Sequence, residues 1–455
     1  MDWKEKKFLV FGMGISGIGA CELLLKQGIE VVLYDGKENL DTTAIRRKNP
    51  QLKEVPMYVG ELPEEELGTI HIAVLSPGVP TDLPLVEHMR EYGIQIWGEI
   101  ELAYIFGKGR ILAITGTNGK TTTTTLLGEI MKHTFSDVKV VGNIGIPYTR
   151  IVPETTDDTV IVAEVSSFQM ETIHSFLPTV SAVLNITPDH LDRHHTMENY
   201  IAAKLNITKN QTGAHTCVLN YEDAVLREFG KELNVNVIYF SSERELERGI
   251  YLKEDEIWYK DGYVKCQICN TGQLQIFGKH NYENVMAAVA MALNFGVALD
   301  KIRDVLLRFQ AVEHRIEYVT EKRGVRFYND SKGTNPDAAI QAIKAMQWPT
   351  LLIGGGYDKG SSYEEWIGAF EGKVKKLVLL GATREKIAET AKACGFSEND
   401  IILVEDLKEA VDVCYANAEN GDAILLSPAC ASWGMFKNYE ERGNCFKEMV
   451  KELKE

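Results

Sequence analysis

The segment Ile111–Thr125, with the sequence ILAITGTNGKTTTTT, restricts the possible folds more than any other part of the chain. An apolar run that ends at Ile114 leads into the turn Gly116–Thr121, and a helical pattern of apolar residues begins at Leu126. A strand, a glycine turn and a helix N-terminus form a cradle for phosphate, because the turn aims backbone N–H groups inward and the helix dipole favours an anion. The segment therefore predicts a binding site for ATP or GTP.

Within this turn, Lys120 is expected to reach the outer phosphates and the Thr121 hydroxyl to hold a Mg²⁺ ion. The general phosphate loop has four free residues between its first glycine and the Gly-Lys pair, whereas this sequence has two if Gly116 is that glycine. The alternative is an ordinary strand–helix turn that contains glycine. It is disfavoured because Gly-Lys-Thr follows a strand and opens a helix, as phosphate binding requires. The nucleotide-binding residues expected in the loop are Gly116, Thr117, Asn118, Gly119, Lys120, Thr121 and Thr122.

Length and charge narrow the class of protein. A chain of 455 residues is too long for one hydrophobic core and suggests about three domains. The net charge of −16 argues against a nucleic-acid partner, because no basic stripe could attract the phosphate backbone. The sequence has no secretory signal and no apolar run of about 18 residues, so we expect a cytoplasmic protein without membrane insertion. The closest cysteine pair, Cys266 and Cys269, has no second pair to complete a zinc site, and reduced thiols are expected.

The N-terminal region carries a second glycine-rich turn. A buried strand at Phe8–Phe11 meets Gly12-x-Gly14-x-x-Gly17, and after a helical pattern the strand Val31–Tyr34 ends at Asp35. This arrangement fits the dinucleotide fingerprint, in which an acid about 20 residues downstream binds a ribose hydroxyl. Taken alone it indicates NAD, but a UDP group satisfies the same geometry. The stretch Ala73–Gly78 places another turn at a strand end, where open α/β sheets bind ligands.

Three polar side chains of the central region could converge beside the phosphate loop. The strand Thr159–Val165 places Glu164 at the C-terminal edge of the sheet, and the run Ala182–Ile186 leads to His190. Thr196 is expected to cap a helix that carries Lys204. A lysine in mid-helix is usually solvated and a lone histidine is usually structural, so the spacing alone leaves both alternatives open. Residues 247–277 alternate apolar and polar residues around Asp261-Gly262, which predicts a small β-rich insert.

The C-terminal region alternates strands with helices from about Gln310 and is expected to form another Rossmann-like sheet. The predicted fold class is therefore α/β with three domains. They are a Rossmann-like domain at 1–93, a central ATPase-like phosphate-loop domain with a mostly parallel sheet and the β insert at 94–309, and a Rossmann-like domain at 310–455. The strands expected in the last domain are Val325–Tyr328, Leu351–Ile353, Leu377–Leu379, Ile401–Val404 and Ala423–Leu426.

Taken together, the motifs resemble the Mur ligase family, ATP-dependent amide-forming enzymes of peptidoglycan precursor synthesis. Near the C-terminus, Leu426–Ser432 and Phe436–Tyr439 are similar to the members that add D-glutamate, although Tyr439 stands where phenylalanine is expected. The segments that carry the resemblance span nearly the whole chain, and they are Gly116–Thr121, Glu164–Ser167, Asn185–His194, His280–Asn284, His314-Arg315 and Asn329–Lys332.

The resemblance implies that ATP, with two Mg²⁺ ions, activates the carboxylate of UDP-N-acetylmuramoyl-L-alanine as an acyl phosphate. The amine of D-glutamate then displaces phosphate through a tetrahedral intermediate. Lys120, Glu164, His190 and Lys204 would be catalytic, and the metal ions would contact Thr121, Glu164, His190 and a carbamylated Lys204. ATP would also contact Asn281, Arg315 and Asp330.

The resemblance also implies two substrate sites. The residues expected at the UDP-sugar are Ile15, Ser16, Asp35, Gly36, Ser76, Gly78 and Asn143, and those expected at D-glutamate are Lys332, Thr334, Lys359, Ser432 and Tyr439. We expect a monomer.

Several other functions compete with this reading. Within the family they are the L-alanine-adding ligase and folylpolyglutamate synthase. Outside it they are an NAD-dependent dehydrogenase, suggested by the first domain, and a nucleotide-gated regulatory protein. The last would keep the phosphate loop but would need neither Lys204 nor the lysines of the third domain.

Overall fold

The computed structural model describes residues 3–143, 146–310 and 312–453, so residues 1–2, 144–145, 311 and 454–455 of the predicted domains lie outside the described residues. The chain forms two compact units. The first comprises Met1–Cys269 with Glu283–Leu306, and the second comprises Asn270–Tyr282 with Leu307–Glu455.

The N-terminal sheet of the first unit is entirely parallel, with the strand order β3-β2-β1-β4-β5. Its strands are β1 (Lys7–Phe11), β2 (Glu30–Asp35), β3 (Met57–Val59), β4 (Ile72–Leu75) and β5 (Gln95–Gly98). The helices of this region are α1 (Ile15–Lys26), α2 (Thr42–Lys48), α3 (Glu64–Leu67), α4 (Pro84–Glu91) and α5 (Glu99–Phe106).

The strand order of this sheet reverses at β1, between β2 and β4, and a ligand crevice is expected at such a switch point. The predicted Gly12–Gly17 turn follows β1, and Ser76 follows β4. Gly17 allows the first turn of α1 to approach the strand end closely, because a Cβ atom at this position would lie only 1.8 Å from the Gly12 carbonyl oxygen.

The central sheet, also in the first unit, has the order β14-β13-β12-β11-β10-β9-β6-β8-β7 within the described residues. Its strands are β6 (Arg110–Thr115), β7 (Val138–Gly142), β8 (Val160–Glu164), β9 (Val180–Val183), β10 (Thr216–Asn220), β11 (Asn236–Ser241), β12 (Arg248–Lys253), β13 (Glu256–Asp261) and β14 (Val264–Asn270). The helices that follow are α6 (Lys120–Lys132), α7 (Tyr148–Ile151), α8 (Ser167–Met170), α9 (Leu191–His194), α10 (Met197–Leu205), α11 (Ala224–Glu232), α12 (Lys279–Phe295) and α13 (Leu299–Leu306).

This order brings the predicted motifs together. β6 lies between β8 and β9 with parallel pairing on both sides, so the three segments that follow these strands leave the same edge of the sheet. The predicted β insert forms the far side of the sheet, since β12 pairs in parallel with β11 and antiparallel with β13.

One hydrophobic core runs through both sheets of the first unit. Trp97 and Ile100 from the N-terminal region pack in the same buried cluster as Tyr148 and Ile151 of α7. The buried Glu99 carboxylate lies at this junction and accepts hydrogen bonds from the Thr149 backbone N–H at 2.7 Å and the Thr149 hydroxyl at 2.8 Å. These two hydrogen bonds offset part of the free-energy cost of removing the carboxylate from water.

The second unit contains a sheet of order β15-β16-β20-β17-β18-β19. Its strands are β15 (Glu317–Lys322), β16 (Val325–Asn329), β17 (Thr350–Gly354), β18 (Val374–Leu379), β19 (Ile401–Leu403) and β20 (Ala423–Leu426). Its helices are α14 (Pro336–Ala345), α15 (Glu364–Gly368), α16 (Arg384–Ala393), α17 (Leu407–Asn417) and α18 (Tyr439–Glu452). The sequence did not predict β15, which pairs antiparallel with β16 at the edge of an otherwise parallel sheet.

The predicted α/β class with three mostly parallel sheets is confirmed. The first sheet extends past residue 93 because β5 pairs with β4, and the domain boundaries at 93/94 and 309/310 stay predictions. The cysteines are unpaired, as expected. Among the described residues, no helix combines the length and apolar character needed to cross a membrane.

The turn after β1 supplies a stability test with an internal control. Gly17→Ala should lower the free energy of unfolding by about 1–3 kcal/mol, because the added methyl group overlaps the Gly12 carbonyl oxygen. Gly14→Ala should cost less than about 1 kcal/mol, since open space surrounds the position of its Cβ atom. Denaturant unfolding of both variants measures the difference, and equal losses would refute the close approach at Gly17.

Candidate active site

The loop between β6 and α6 has the backbone of a phosphate cradle. Gly116 and Gly119 adopt φ values of 149° and 84°, which L-residues with side chains rarely adopt. A Cβ atom at Gly119 would also lie 2.1 Å from the Asn284 Oδ1 atom. Lys120 begins α6, so the loop opens onto a helix N-terminus.

The segment after β9 holds this loop in place. The Thr117 and Asn118 backbone N–H groups donate to Asn185, at 2.9 Å to its carbonyl oxygen and 2.8 Å to Oδ1. The Thr117 hydroxyl lies 3.0 Å from the Tyr200 hydroxyl and 3.1 Å from the Thr187 carbonyl oxygen. Backbone and side-chain groups that are distant in the sequence therefore hold the loop in place.

Two lysines meet at one carbonyl group of the loop. The Lys120 Nζ atom donates to the Gly116 and Thr117 carbonyl oxygens at 2.8 Å each, and the Lys204 Nζ atom donates to the Gly116 oxygen at 2.8 Å. Lys204 is only 2% exposed, so it is not a solvated helix residue. Burial, together with the nearby charge of Lys120, holds the pKa of Lys204 well below its ordinary value, although Asp189 opposes the shift.

Glu164, the last residue of β8, is 1% exposed and pairs with Ile114 of the neighbouring strand β6. Its Oε1 atom accepts a hydrogen bond from Asn143 Nδ2 at 3.0 Å, so Asn143 contacts this carboxylate. Its Oε2 atom is buried and has no hydrogen-bond partner among the described residues. An unpaired buried carboxylate oxygen is costly, and a cation ligand would satisfy it.

His190 lies in the segment that follows β9, directly before helix α9, and has a left-handed backbone with φ of 54°. Its ring packs edge-on against Phe168 at 5.0 Å between centroids, and its side chain is 42% exposed. The Nε2 atom lies 3.6 Å from the Asp189 carboxylate. In the described ranges, no three His, Cys, Asp or Glu side chains are grouped as a metal site.

The switch point of the N-terminal sheet carries most of the residues predicted for the UDP-sugar, whereas Asn143 follows β7 of the central sheet. Asp35 accepts hydrogen bonds from the Met13 N–H at 2.9 Å and the Lys37 N–H at 3.1 Å, so its carboxylate orders the glycine turn. Ile15 and Gly36 are exposed, and Ser16 is half-buried. A small cavity lies between the segment after β4 and helix α8, and it is lined by Leu75, Ser76, Pro77, Val79, Thr81, Gly98, Glu99, Phe168, Gln169 and Thr172. Gly78 belongs to the same segment after β4 but is not among these lining residues.

In the second unit, Asp330 is fully buried where β16 ends beside β20. Its Oδ2 atom accepts from the Ser427 hydroxyl at 2.8 Å, and its Oδ1 atom accepts from the Ile316 N–H at 3.3 Å and lies 3.9 Å from Arg315 Nη1. Burial raises the pKa of Asp330 to about 6, although the charge of Arg315 and the Ser427 hydrogen bond oppose the shift.

The residues predicted for D-glutamate lie around the same strand ends of the second unit. The Lys332 ammonium lies 5.2 Å from the centre of the Tyr439 ring. The Thr334 backbone N–H donates to the Lys332 carbonyl oxygen at 2.9 Å, and Ser432 is buried. Lys359 is exposed in the loop after β17. Asn281, predicted at ATP, donates from Nδ2 to the Phe277 carbonyl oxygen at 2.9 Å.

Models of three domain families match the chain. The Mur ligase MurD-like N-terminal domain matches residues 6–98, the Mur ligase middle domain 114–292, and the Mur ligase glutamate ligase domain 314–430. A curated relative from Lachnoclostridium phytofermentans, named UDP-N-acetylmuramoylalanine–D-glutamate ligase, is 58% identical over 455 residues, which cover 100% of both chains. The chain belongs to the Mur ligase family. A relative of the same name from Lachnospira eligens is 53% identical over 453 residues, again with 100% of each chain covered.

Solved structures show that the chain has the fold of other Mur ligases. The UDP-N-acetylmuramate–alanine ligase of Thermotoga maritima aligns with a TM-score of 0.59 at 19% identity, covering 98% of this chain and 99% of the other. The MurF ligase of the same organism, in complex with ADP, aligns with a TM-score of 0.59 at 15% identity, covering 99% of both chains.

The most prominent residue that sequence reasoning missed in this Mur ligase is Arg442 of α18. Its buried guanidinium group donates from Nε to the Ser331 hydroxyl at 2.9 Å, from Nη2 to the Ser331 carbonyl oxygen at 2.8 Å and from Nη1 to the Cys430 carbonyl oxygen at 3.2 Å. It therefore ties the turn after β16 to the segment after β20. The sequence does not predict that this arginine is buried, because the residues near it are acidic, namely Glu440, Glu441 and Glu448.

The Asp330 carboxyl group gives a pH prediction. Because its pKa is raised from 3.8 to about 6 on folding, the folded protein binds the proton more tightly than the unfolded chain. The associated stability is complete below about pH 4 and is lost as the pH rises to about 6. Asp330→Asn should therefore gain stability relative to the parent protein across this window, by about 2–3 kcal/mol. Melting temperatures measured across this window test the prediction, and parallel pH curves for the two proteins would contradict it.

Proposed function

We propose that this Mur ligase joins D-glutamate to UDP-N-acetylmuramoyl-L-alanine and cleaves ATP to ADP and phosphate. The names of the full-length relatives support this choice of substrates. The observation that carries the reaction type is that Lys120 and Lys204 donate to the same carbonyl oxygen of the loop after β6. Glu164 pairs with Ile114, just before this loop, and has a buried carboxylate oxygen with no hydrogen-bond partner among the described residues.

Phosphoryl transfer needs positioning and charge neutralisation more than covalent help from the protein. The backbone N–H groups at the N-terminus of α6 would hold the phosphates. Lys120 would exchange its two loop carbonyl contacts for the oxygens of the transferred group, where its charge stabilises the transition state. The acceptor carboxylate would then attack the γ-phosphorus, and the amine of D-glutamate would displace phosphate from the acyl phosphate.

The residues of the loop fit Mg²⁺. When bound, the ion would neutralise charge on the phosphate oxygens. Mg²⁺ is usually held by one or two carboxylates plus substrate phosphates, which agrees with the buried, unpaired carboxylate oxygen of Glu164. The Thr121 hydroxyl of the loop would be a further ligand. His190, whose side chain is 42% exposed, would serve a second ion.

Lys204 is proposed to act as a carbamate. Its depressed pKa favours the neutral amine, the form whose nitrogen attacks the carbon of CO₂ and releases a proton to water. The product is an anion in place of a buried cation beside Lys120, so repulsion becomes attraction. The carbamate oxygens would also suit a hard metal ion.

The substrate sites complete the proposal. The UDP-sugar would bind at the switch point of the N-terminal sheet, near Asp35, Ser76 and the cavity against α8. D-Glutamate would bind in the second unit, where Lys332 and Lys359 would form ion pairs with its two carboxylates. The ATP roles of Asn281, Arg315 and Asp330 stay predictions.

A coupled assay of ATP hydrolysis with candidate acceptors and amino acids tests the function. Phosphate release should require both UDP-N-acetylmuramoyl-L-alanine and D-glutamate. Turnover with UDP-N-acetylmuramate and L-alanine, or with a folate and L-glutamate, would assign the chain to another activity. Hydrolysis of ATP without any acceptor pair would favour a nucleotide-gated regulatory protein, and NAD binding without affinity for a UDP-sugar would favour a dehydrogenase.

Lys204→Ala should abolish ligation, and a small added carboxylic acid should restore part of it by placing an anion in the vacated space. Lys209→Ala is a matched control, because Lys209 also donates to a backbone carbonyl group, that of Ile173 at 3.1 Å, and among the described residues it makes no hydrogen bond to the phosphate loop. It should keep near-parent activity. Full activity of Lys204→Ala in CO₂-depleted buffer would end the carbamate hypothesis.

A further inference from the structure

Glu171 follows α8 and holds two separate segments of the first unit. Its Oε2 atom accepts from Arg193 Nη2 at 3.1 Å and from the Thr81 hydroxyl at 3.3 Å, and its Oε1 atom lies 3.1 Å from His194 Nδ1. The side chain is 16% exposed. None of the functional roles assigned above uses this carboxylate.

The first of these segments, residues 190–195, needs external support. The short helix α9 lies between His190 and His195, which have left-handed φ values of 54° and 67°. L-Residues with side chains adopt this conformation at a cost, and it persists only where surrounding contacts impose it. The Arg193 guanidinium group lies 4.7 Å from the centre of the Phe168 ring, and the same ring packs against His190.

The second segment, residues 79–82, begins just after Ser76–Gly78 at the switch point of the N-terminal sheet. The Thr81 hydroxyl links this segment to Glu171. Arg193 Nη2 also donates to the Val79 carbonyl oxygen at 3.0 Å. Glu171 and Arg193 therefore join the segment beside the proposed UDP-sugar site to the segment that carries His190.

We propose that Glu171 is a positioning residue, which fixes residues 79–82 and 190–195 against each other so that acceptor binding and the placement of His190 are coupled. This inference rests on the proposed function for its kinetic consequences. The amide of glutamine would keep one acceptor oxygen but would lose the charge that orders Arg193. Loosening of both segments should then affect the acceptor and the chemical step, but not the binding of D-glutamate.

Hydrogen exchange of the full chain tests the coupling without any substrate. In Glu171→Gln, exchange should rise about tenfold or more in peptides that cover 79–82 and 190–195, and should stay unchanged elsewhere. Glu222→Gln is a matched control, because Glu222 is 13% exposed and also binds an arginine, Arg244, and a hydroxyl, Ser241. It should leave both segments unchanged.

Steady-state kinetics provide the second readout. Glu171→Gln should lower kcat about 10- to 100-fold and raise KM for the UDP-sugar acceptor, with KM for D-glutamate unchanged. Thr81→Val removes one hydrogen bond with little change of shape and should show the same pattern more weakly, which decides the question if Glu171→Gln does not fold.

Unchanged exchange at 79–82, or an equal effect on all kinetic constants, would overturn the proposal. If the parent protein ligates none of the substrates, the proposed function fails, and the exchange pattern alone then decides whether Glu171 couples the two segments.

Discussion

The carbonyl oxygen of Gly116 accepts hydrogen bonds from two lysine side chains, Lys120 and Lys204, and much of the candidate site depends on this arrangement. If both were protonated, two like charges would share one neutral acceptor, and Lys204 has almost no contact with solvent. Such a site favours the loss of one proton or the arrival of an anion. A phosphate group bound at the loop would supply the anion, and carbamylation of Lys204 would remove its proton.

This arrangement exists because the central sheet is parallel around β6. The segments after β6, β8 and β9 leave one edge of the sheet, so the phosphate loop, Glu164 and His190 are neighbours although some 70 residues separate the first from the last. The same principle operates in the other two sheets, where Gly12 meets Ser76 and Asp330 meets Ser427. Loops at the carboxyl ends of parallel strands therefore supply the candidate residues throughout.

Sequence reasoning located the strands, the glycine turns and the candidate residues, but it could not decide the state of individual side chains. Spacing leaves open that Lys204 is a solvated helix residue, whereas in the structure it is buried, with its ammonium group against the Gly116 carbonyl oxygen and the Tyr200 ring. The sequence does not indicate a role for Glu171 or Arg442, because each contacts partners that are distant in sequence. The sequence predicts the β-rich stretch at 247–277, but only the pairing of β12 with β11 shows that it extends the central sheet.

The sequence by itself determined the α/β class, the phosphate loop and the family, because these depend on local patterns. Glycines that need positive φ, apolar runs of strand length and capping residues such as Thr196 act within a few residues. Only the tertiary structure decided that Glu164 has a buried oxygen without a partner, that Lys204 reaches Gly116 and that Glu171 joins two segments. Burial and hydrogen bonding between distant segments depend on strand order and side-chain packing, and no short stretch of sequence encodes either of them.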